Sequence, residues 1–386
     1  MMVSVNKIYS CAVALVVNGA LFSTAMAQNS TGKDEPARDV QGRSVKQFVQ
    51  RALKTNDEDG DGKITKDEAK QLLRKNFANV DTDKDGVVSA EELAGLARRL
   101  NGRRTQRTPA NNRTVVPDNV TFKADIPYRE GNDKWRLDLA YPKTASPVPQ
   151  PAIVFIHGGG WRSGDKGGGQ WRSLPLEYAS RGYVCVSVNY RLTDEATVLD
   201  CIADCKCAVR WLRANAEEYT VDPNRIGAYG NSAGAHLVSI LGLASAKADL
   251  EGDGPFQNES SLVQAVCCSA PPADFMNWNK KSKKSETAFS RLFGAKVVEE
   301  SKRRASPVTY AFEKAPPFLI VHGTSDTTVP VAQGDALERE LKKSGAKDVT
   351  YMRFEGAGHG VFLQHRNETQ PAMQRFFDRV LKSKER

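Results

Sequence analysis

Ser232 sits at the centre of Gly230-Asn231-Ser232-Ala233-Gly234, with the apolar run Ile226-Gly227-Ala228-Tyr229 before it and apolar residues at helical spacing after it. That pattern reads as strand, tight turn and helix. Small residues two before and two after the serine let the backbone make a strained turn that lifts the hydroxyl clear, the posture of a nucleophile. A serine hydroxyl at neutral pH is a weak nucleophile and needs a base. The chain offers five histidines. His157 belongs to a glycine loop, His236 lies one turn into the helix after Ser232 and faces away from its own elbow, and His322 ends a buried strand. His365 lies beyond the last loop, in a predicted helix. His359, in Glu355-Gly356-Ala357-Gly358-His359, follows the last strand on a loop free to bring an imidazole over the sheet edge, and is the favoured base. An acid must fix its tautomer. Asp326, after the strand ending in His322, is the first candidate, and Asp274 is the second; Asp335 reads as a helix-face residue. Donors for a developing oxyanion come from the glycines after His157 and from the Ala233 N–H beside the nucleophile.

A second chemistry is written earlier in the chain. Asp57, Asp59 and Asp61, then Asp81, Asp83 and Asp85, place carboxylates on alternate residues of two loops. Gly62 and Gly86 allow the sharp turn. Lys63 and Val87 offer carbonyl oxygens, Thr65 and Ser89 a side chain or held water, and Glu68 and Glu92 a closing bidentate carboxylate. This is the EF-hand pattern, and Ca2+ is the ion it suits. Ile64 and Val88 are expected to pair between the loops. Only residues 69–80 separate the loops, so one helix of about 18 Å must leave the first and enter the second. That spacing favours a compact structural or docking module, through which calcium could govern a protein or surface partner.

The elements that position these groups follow from periodicity. Half-exposed antiparallel strands are expected at Val120–Ile126 and Trp135–Tyr141, and buried strands at Ala152–His157, Tyr183–Arg191, the elbow strand, Val263–Ser269, Phe318–Gly323 and Val349–Glu355. Helices are expected near Ala196–Tyr219 and Val331–Ser344. Strands alternating with helices imply an α/β fold: a mostly parallel sheet covered on both faces, here preceded by a small all-α EF-hand pair. The chain order Ser232, Asp326, His359 is that of α/β-hydrolases, not of the trypsin or subtilisin folds.

The 386 residues, 40% hydrophobic and 26% charged, suffice for one large domain and a smaller one. The net charge of +9 is concentrated near Arg98–Arg107 and Lys280–Lys284, with no basic-aromatic interleaving of the kind that binds nucleic acid. Residues 1–27 combine a lysine, a short apolar core and Ala25-Met26-Ala27, the features of a cleaved secretory signal, so a secreted or periplasmic protein without a membrane span is expected. A polar leader (28–44), the EF-hand pair (45–100), a linker (101–114) and the hydrolase domain (115–386) follow. Beyond Cys11 in the signal segment, Cys185, Cys267 and Cys268 read as buried thiols; Cys201, Cys205 and Cys207 share one helix, where a bridge or metal site is the alternative.

Five motifs together carry a resemblance: His157-Gly-Gly-Gly-Trp-Arg-Ser-Gly-Asp-Lys166, Asp204–Arg213, Gly230-Asn-Ser-Ala-Gly234, His322-Gly-Thr-Ser-Asp326 and Gly356-Ala-Gly-His359. The stretch from Val115 to Lys382 resembles the fold-3 group of α/β-hydrolase carboxylesterases related to hormone-sensitive lipase, and in particular compact feruloyl and acetylxylan esterase-like proteins. The resemblance implies Ser232 as nucleophile, His359 as base, Asp326 as acid, and Gly159, Gly160 and Ala233 as the oxyanion hole. The N-terminal cap typical of the hormone-sensitive-lipase group is not evident, and the EF-hand pair stands in its place. The segment Asp274–Ser306, with Trp278 and Phe293, is expected to overhang the site. The reading is a secreted serine esterase for short or aromatic acyl esters, on small molecules or on acylated polysaccharide. An amidase or peptidase on the same fold, and a calcium-dependent binding protein with an inert hydrolase domain, are the alternatives.

Overall fold

A computed structural model describes residues 49–50, 52–70, 73–74, 77–105, 115–278, 290–294 and 299–382, with side chains left out at 98–105. The expected signal sequence and leader, most of the expected linker and the Lys280–Lys284 cluster lie outside the described residues. The chain forms two compact units, Met1–Ala110 and Asn111–Arg386.

In the first unit, β1 (Lys63–Thr65) and β2 (Val87–Ser89) pair antiparallel, with Ile64 opposite Val88. Their two side chains are fully buried with Ala69, Phe77, Val80 and Leu93 in a small core. The helical turn α1 (Phe77–Val80) contributes Phe77 and Val80. The helix α2 (Ala90–Thr105) begins with Glu91 and Glu92 in its first turn and continues beyond residue 100, where the linker was expected to start. The acidic first turn suits the positive end of the helix dipole.

In the second unit, eight strands form one sheet in the order β10-β9-β8-β7-β5-β6-β4-β3. These are β3 (Val120–Pro127), β4 (Arg136–Pro142), β5 (Gln150–Ile156), β6 (Val184–Val188), β7 (Val221–Asn231), β8 (Ala265–Ser269), β9 (Phe318–Gly323) and β10 (Val349–Phe354). Pairing is antiparallel from β3 to β4 and from β4 to β6, and parallel from β6 onward. The central strands are apolar on both faces because helices cover both. On one face lie α4 (Val198–Ala214), α5 (Ala233–Leu243) and α7 (Ala332–Lys343); on the other lie α3 (Gln170–Ser180), the short α8 (Val361–Gln364) and α9 (Arg366–Phe377). A further helix, α6 (Glu299–Ala305), precedes β9.

Further boundaries differ from the sequence reading. Helix α4 is shorter than Ala196–Tyr219: Thr197 and Asp200 form a capping box at its start, and Asn215 ends it. Strand β7 starts at Val221 and takes in Asp222-Pro223, five residues ahead of the apolar run Ile226–Tyr229 that marks the elbow strand in the sequence. All six cysteines beyond the leader are buried and unpaired, so the sulfur cluster of α4 forms no bridge.

Candidate active site

The loops that follow β5, β7, β9 and β10 leave neighbouring carboxyl ends of a parallel sheet, where such folds gather their functional groups. The elbow follows β7. Ser232 takes φ of +56°, a conformation costly for a residue with a side chain, and its N–H donates to Ser269 O at 2.8 Å. The glycines beside it are required by close approach: a Cβ on Gly230 would lie 2.3 Å from the Gly234 carbonyl, and one on Gly234 would lie 2.0 Å from Ile156 O.

Ser232, Asp326 and His359 come together although 127 residues separate serine from histidine. The His359 Nδ1–H donates to Asp326 Oδ2 at 2.7 Å, which leaves Nε2 to accept from Ser232 Oγ at 3.0 Å. Asp326 is buried, and burial alone would raise its carboxyl. Donors from His322, His359 and the Val329 and Thr328 N–H groups outweigh that and hold it well below the usual carboxylate range. Asp326 is thereby held as an anion, able to stabilise a neighbouring imidazolium without taking its proton.

His322 is a contributor that sequence reading passed over as the end of a strand. Its Nε2–H donates to Val329 O at 3.0 Å and lies 3.4 Å from Asp326 Oδ2, so the acid faces two imidazoles. The signal was available in the four-residue spacing from His322 to Asp326 across one tight turn. Gln333 was missed as well, and a lone glutamine near a helix start carries no signal. Its Oε1 accepts from the Ala273 and Asp274 N–H groups, at 2.9 and 2.7 Å, tying that loop to α7.

The second acid candidate does other work. Asp274 accepts from the N–H groups of Met276 and Asn277 and from Asn277 Nδ2, and so closes its own turn. Asp335 accepts from the Tyr351 hydroxyl. His365 stacks on Phe354.

The glycine loop after β5 faces Ser232: a Cβ on Gly158 would come within 3.3 Å of Ser232 Cβ. Gly159 turns its carbonyl inward to accept from the Arg162 and Ser163 N–H groups. Among the described residues, the N–H groups of Gly159, Gly160 and Ala233 donate to no other group. The loop is pinned from behind. Tyr190 donates its hydroxyl to His157 O and stacks on the His157 ring at 4.4 Å. Burial lowers the His157 pKa, and Nδ1–H donates to Gly158 O. The buried Lys166 pairs with Asp138 at 2.8 Å and Asp125 at 2.6 Å, and its N–H donates to Asn189 Oδ1.

The expected overhang is closed over apolar groups where it is described. Phe275 packs on Trp161, Trp278 and Phe293, with ring centres 5.6 to 5.9 Å apart.

In the first unit, oxygens of Asp57, Asp59 and Asp61 lie within 4.8 Å of one another, as do those of Asp81, Asp83 and Asp85. Asp81 Oδ1 is buried with no hydrogen-bond partner, an orphaned acceptor of the kind a cation would satisfy. The closing carboxylates are already held in place. Glu68 accepts from the Thr65 and Glu58 N–H groups, and Glu92 from those of Ser89 and Thr82. Burial raises the Glu92 carboxyl, but these donors more than offset it and bring it down to about 2. Lys63 and Val87 stand at the backbone-carbonyl position of each loop. The residues fit calcium.

Residues 137–341 match the BD-FAE family, and residues 51–73 and 73–97 each match the EF hand. Esterase LipC of Mycobacterium tuberculosis is 30% identical over 64% of this chain and 63% of its own length. The probable carboxylic ester hydrolase LipM of the same organism is 31% identical over 70% of this chain and 63% of its own length. The chain thus spans less than two thirds of either relative. Among solved structures, a truncated carbohydrate esterase from gut microbiota superposes with a TM-score of 0.63 at 26% identity, covering 69% of this chain and 99% of that one. A thermophilic esterase from the planctomycete Thermogutta terrifontis gives 0.57 at 28% identity, over 68% of this chain and 93% of its own.

Proposed function

Since the chain belongs to the BD-FAE family, we propose that it is a serine carboxylesterase, with Ser232, His359 and Asp326 as its catalytic residues. The observation that carries this reading is the hydrogen-bonded line from Asp326 through His359 to Ser232 Oγ, set beside three N–H groups with no acceptor. His359 Nε2 takes the hydroxyl proton as Oγ bonds to the ester carbon. The carbonyl oxygen, now an oxyanion, is met by Gly159, Gly160 and Ala233. His359 then protonates the leaving alcohol, and the acyl group remains on Ser232. A water, deprotonated by the same nitrogen, attacks the acyl carbon; carboxylic acid leaves and Ser232 regains its proton. Asp326 keeps its charge throughout and fixes which nitrogen faces the serine.

The substrates we assign are short or aromatic acyl esters, carried on small molecules or on acylated polysaccharide. The kinship to a carbohydrate esterase and the signal-like leader support the polysaccharide and a secreted or periplasmic location. In the first unit, Asp57, Asp59, Asp61 and Glu68, and Asp81, Asp83, Asp85 and Glu92, would hold calcium with the Lys63 and Val87 carbonyls. Bound calcium would neutralise the clustered carboxylates, so its effect is on folding of that unit or on attachment to a protein or surface, and not on the ester chemistry.

The test is acetate release from acetylated xylan and from p-nitrophenyl acetate by the mature protein and by Ser232→Ala, in calcium and in EDTA. Turnover of both substrates that falls at least about a thousandfold in the variant is expected. Equal rates in the two proteins would remove Ser232 as nucleophile, and turnover of the small ester alone would remove the xylan assignment.

A further inference from the structure

Gly159, Gly160 and Trp161 are three consecutive residues with left-handed backbone, at φ of +113°, +61° and +56°. Glycine adopts this freely. Trp161 does not, and such a residue persists only where its surroundings dictate it.

Its surroundings centre on His236, which is fully buried in α5, one turn past Ser232. The Trp161 indole Nε1–H donates to His236 Nδ1 at 3.3 Å, and the rings meet edge to face at 5.3 Å. The opposite nitrogen, Nε2, lies 2.7 Å from Ala305 O. A carbonyl only accepts, so the proton is on Nε2 and Nδ1 is free to receive the indole N–H. Phe275 closes the remaining side at 5.2 Å.

We infer that His236 is a positioning residue for the oxyanion hole. By anchoring the indole it fixes the left-handed run, and that run is what aims the Gly159 and Gly160 N–H groups at the space beside Ser232. The inference rests on the esterase reading. It also gives the seventh position of Gly230-Asn-Ser-Ala-Gly-Ala-His236 a task. One imidazole joins the nucleophile helix, the oxyanion loop and the end of α6. Both of its nitrogens are engaged, so it takes no proton from substrate. Burial, opposed by the bond to Ala305, brings its pKa down to about 4, which keeps Nδ1 an acceptor during turnover near neutrality.

The experiment compares Trp161→Phe, His236→Phe, the double variant and His236→Asn on p-nitrophenyl acetate. Rates are normalised by active-site titration with a phosphonate ester, which corrects for unfolded protein. Each phenylalanine variant is expected to lower kcat by about tenfold to a hundredfold, a fraction of what deleting a whole oxyanion donor does, with KM within about twofold. The double variant should fall no further than the worse single, since both cut one bond. His236→Asn, whose amide oxygen stands near the Nδ1 position, should recover most of the loss. Additive losses, or an unchanged kcat, would overturn the inference while leaving Ser232 chemistry intact. A second reading needs no turnover: the Trp161 indole N–H of nitrogen-labelled protein should exchange slowly with solvent and lose that protection in His236→Phe. Unchanged protection would overturn the bond whatever the esterase assay gives.

Discussion

The two units solve the problem of gathering charged and polar groups in opposite ways. Each EF-hand loop carries its ligands within twelve consecutive residues, and its closing carboxylate reaches back only ten residues, from Glu68 to the Glu58 N–H and from Glu92 to the Thr82 N–H. The hydrolase site gathers groups 127 and 33 residues apart, and nothing local holds them. There the parallel sheet does the gathering, because consecutive strands end on the same edge. A local site tolerates change elsewhere in the chain, whereas a dispersed one depends on every element that feeds it.

The sharpest way to strain the dispersed site is to exchange its two acid candidates. Asp326→Asn keeps the side chain's shape but puts an amide beside His359 and invites the wrong tautomer, and kcat should drop by about 10⁴-fold. Asp274→Asn should leave kcat within a few-fold, because Asp274 only closes its own turn, and should cost about 1 kcal/mol of stability through the lost Asn277 bond. Kinetics with thermal melts on both variants checks this. If Asp274→Asn abolished turnover with the melt unchanged, the acid would have to be reassigned.

This pair also shows how much could be read before the fold was known. Ser232, His359 and the two calcium loops stood out because glycine spacing and alternating carboxylates are local steric and electrostatic requirements, visible in a dozen residues. The alternation of strands and helices was legible for the same reason, as each element carries its own periodicity. Order along the chain could not separate Asp326 from Asp274, since both follow a strand and precede His359, and the deciding contact crosses 33 residues. Gln333 acts through contacts about sixty residues away, whereas His322 reaches Asp326 and Val329 across one turn, a local spacing that was read only as a strand end. His236 was set aside on a correct observation, that it faces away from the elbow, with no means of knowing that Trp161 lay where it pointed. The start of α4 was missed because the capping box of Thr197 and Asp200 acts where apolar periodicity has faded.

The local site should respond differently. Glu68→Gln or Glu92→Gln removes one charge and the bidentate closure of one loop, and calcium affinity measured by calorimetry should weaken at least about tenfold. Ester turnover at saturating substrate should stay within about twofold. A kcat that followed calcium occupancy would show that the two sites are coupled, and would end the contrast between an autonomous loop and a sheet-dependent triad.

The smallest effect expected is in the response to acid, and it separates the units again. The clustered carboxylates of the EF-hand pair, buried Asp81 apart, are near the surface and open to solvent screening, whereas His236 is sealed in the hydrolase core. Its pKa, about 4 when folded, rises to about 6.5 when the chain unfolds. The unfolded chain therefore binds one more proton than the folded one between those values. Stability contributed by the neutral imidazole is complete above pH 6.5 and is lost as pH falls toward 4, at up to about 1.4 kcal/mol per pH unit. The buried His157, lowered in the same direction, adds to the same slope. Denaturant melts of the hydrolase unit across this range should show stability falling with pH, and His236→Phe, with nothing to protonate, should fall less steeply than the wild type. Equal slopes would mean that His236 already carries its proton in the folded protein. Nδ1 could not then accept from Trp161, and the oxyanion loop would have to be held by its glycines alone.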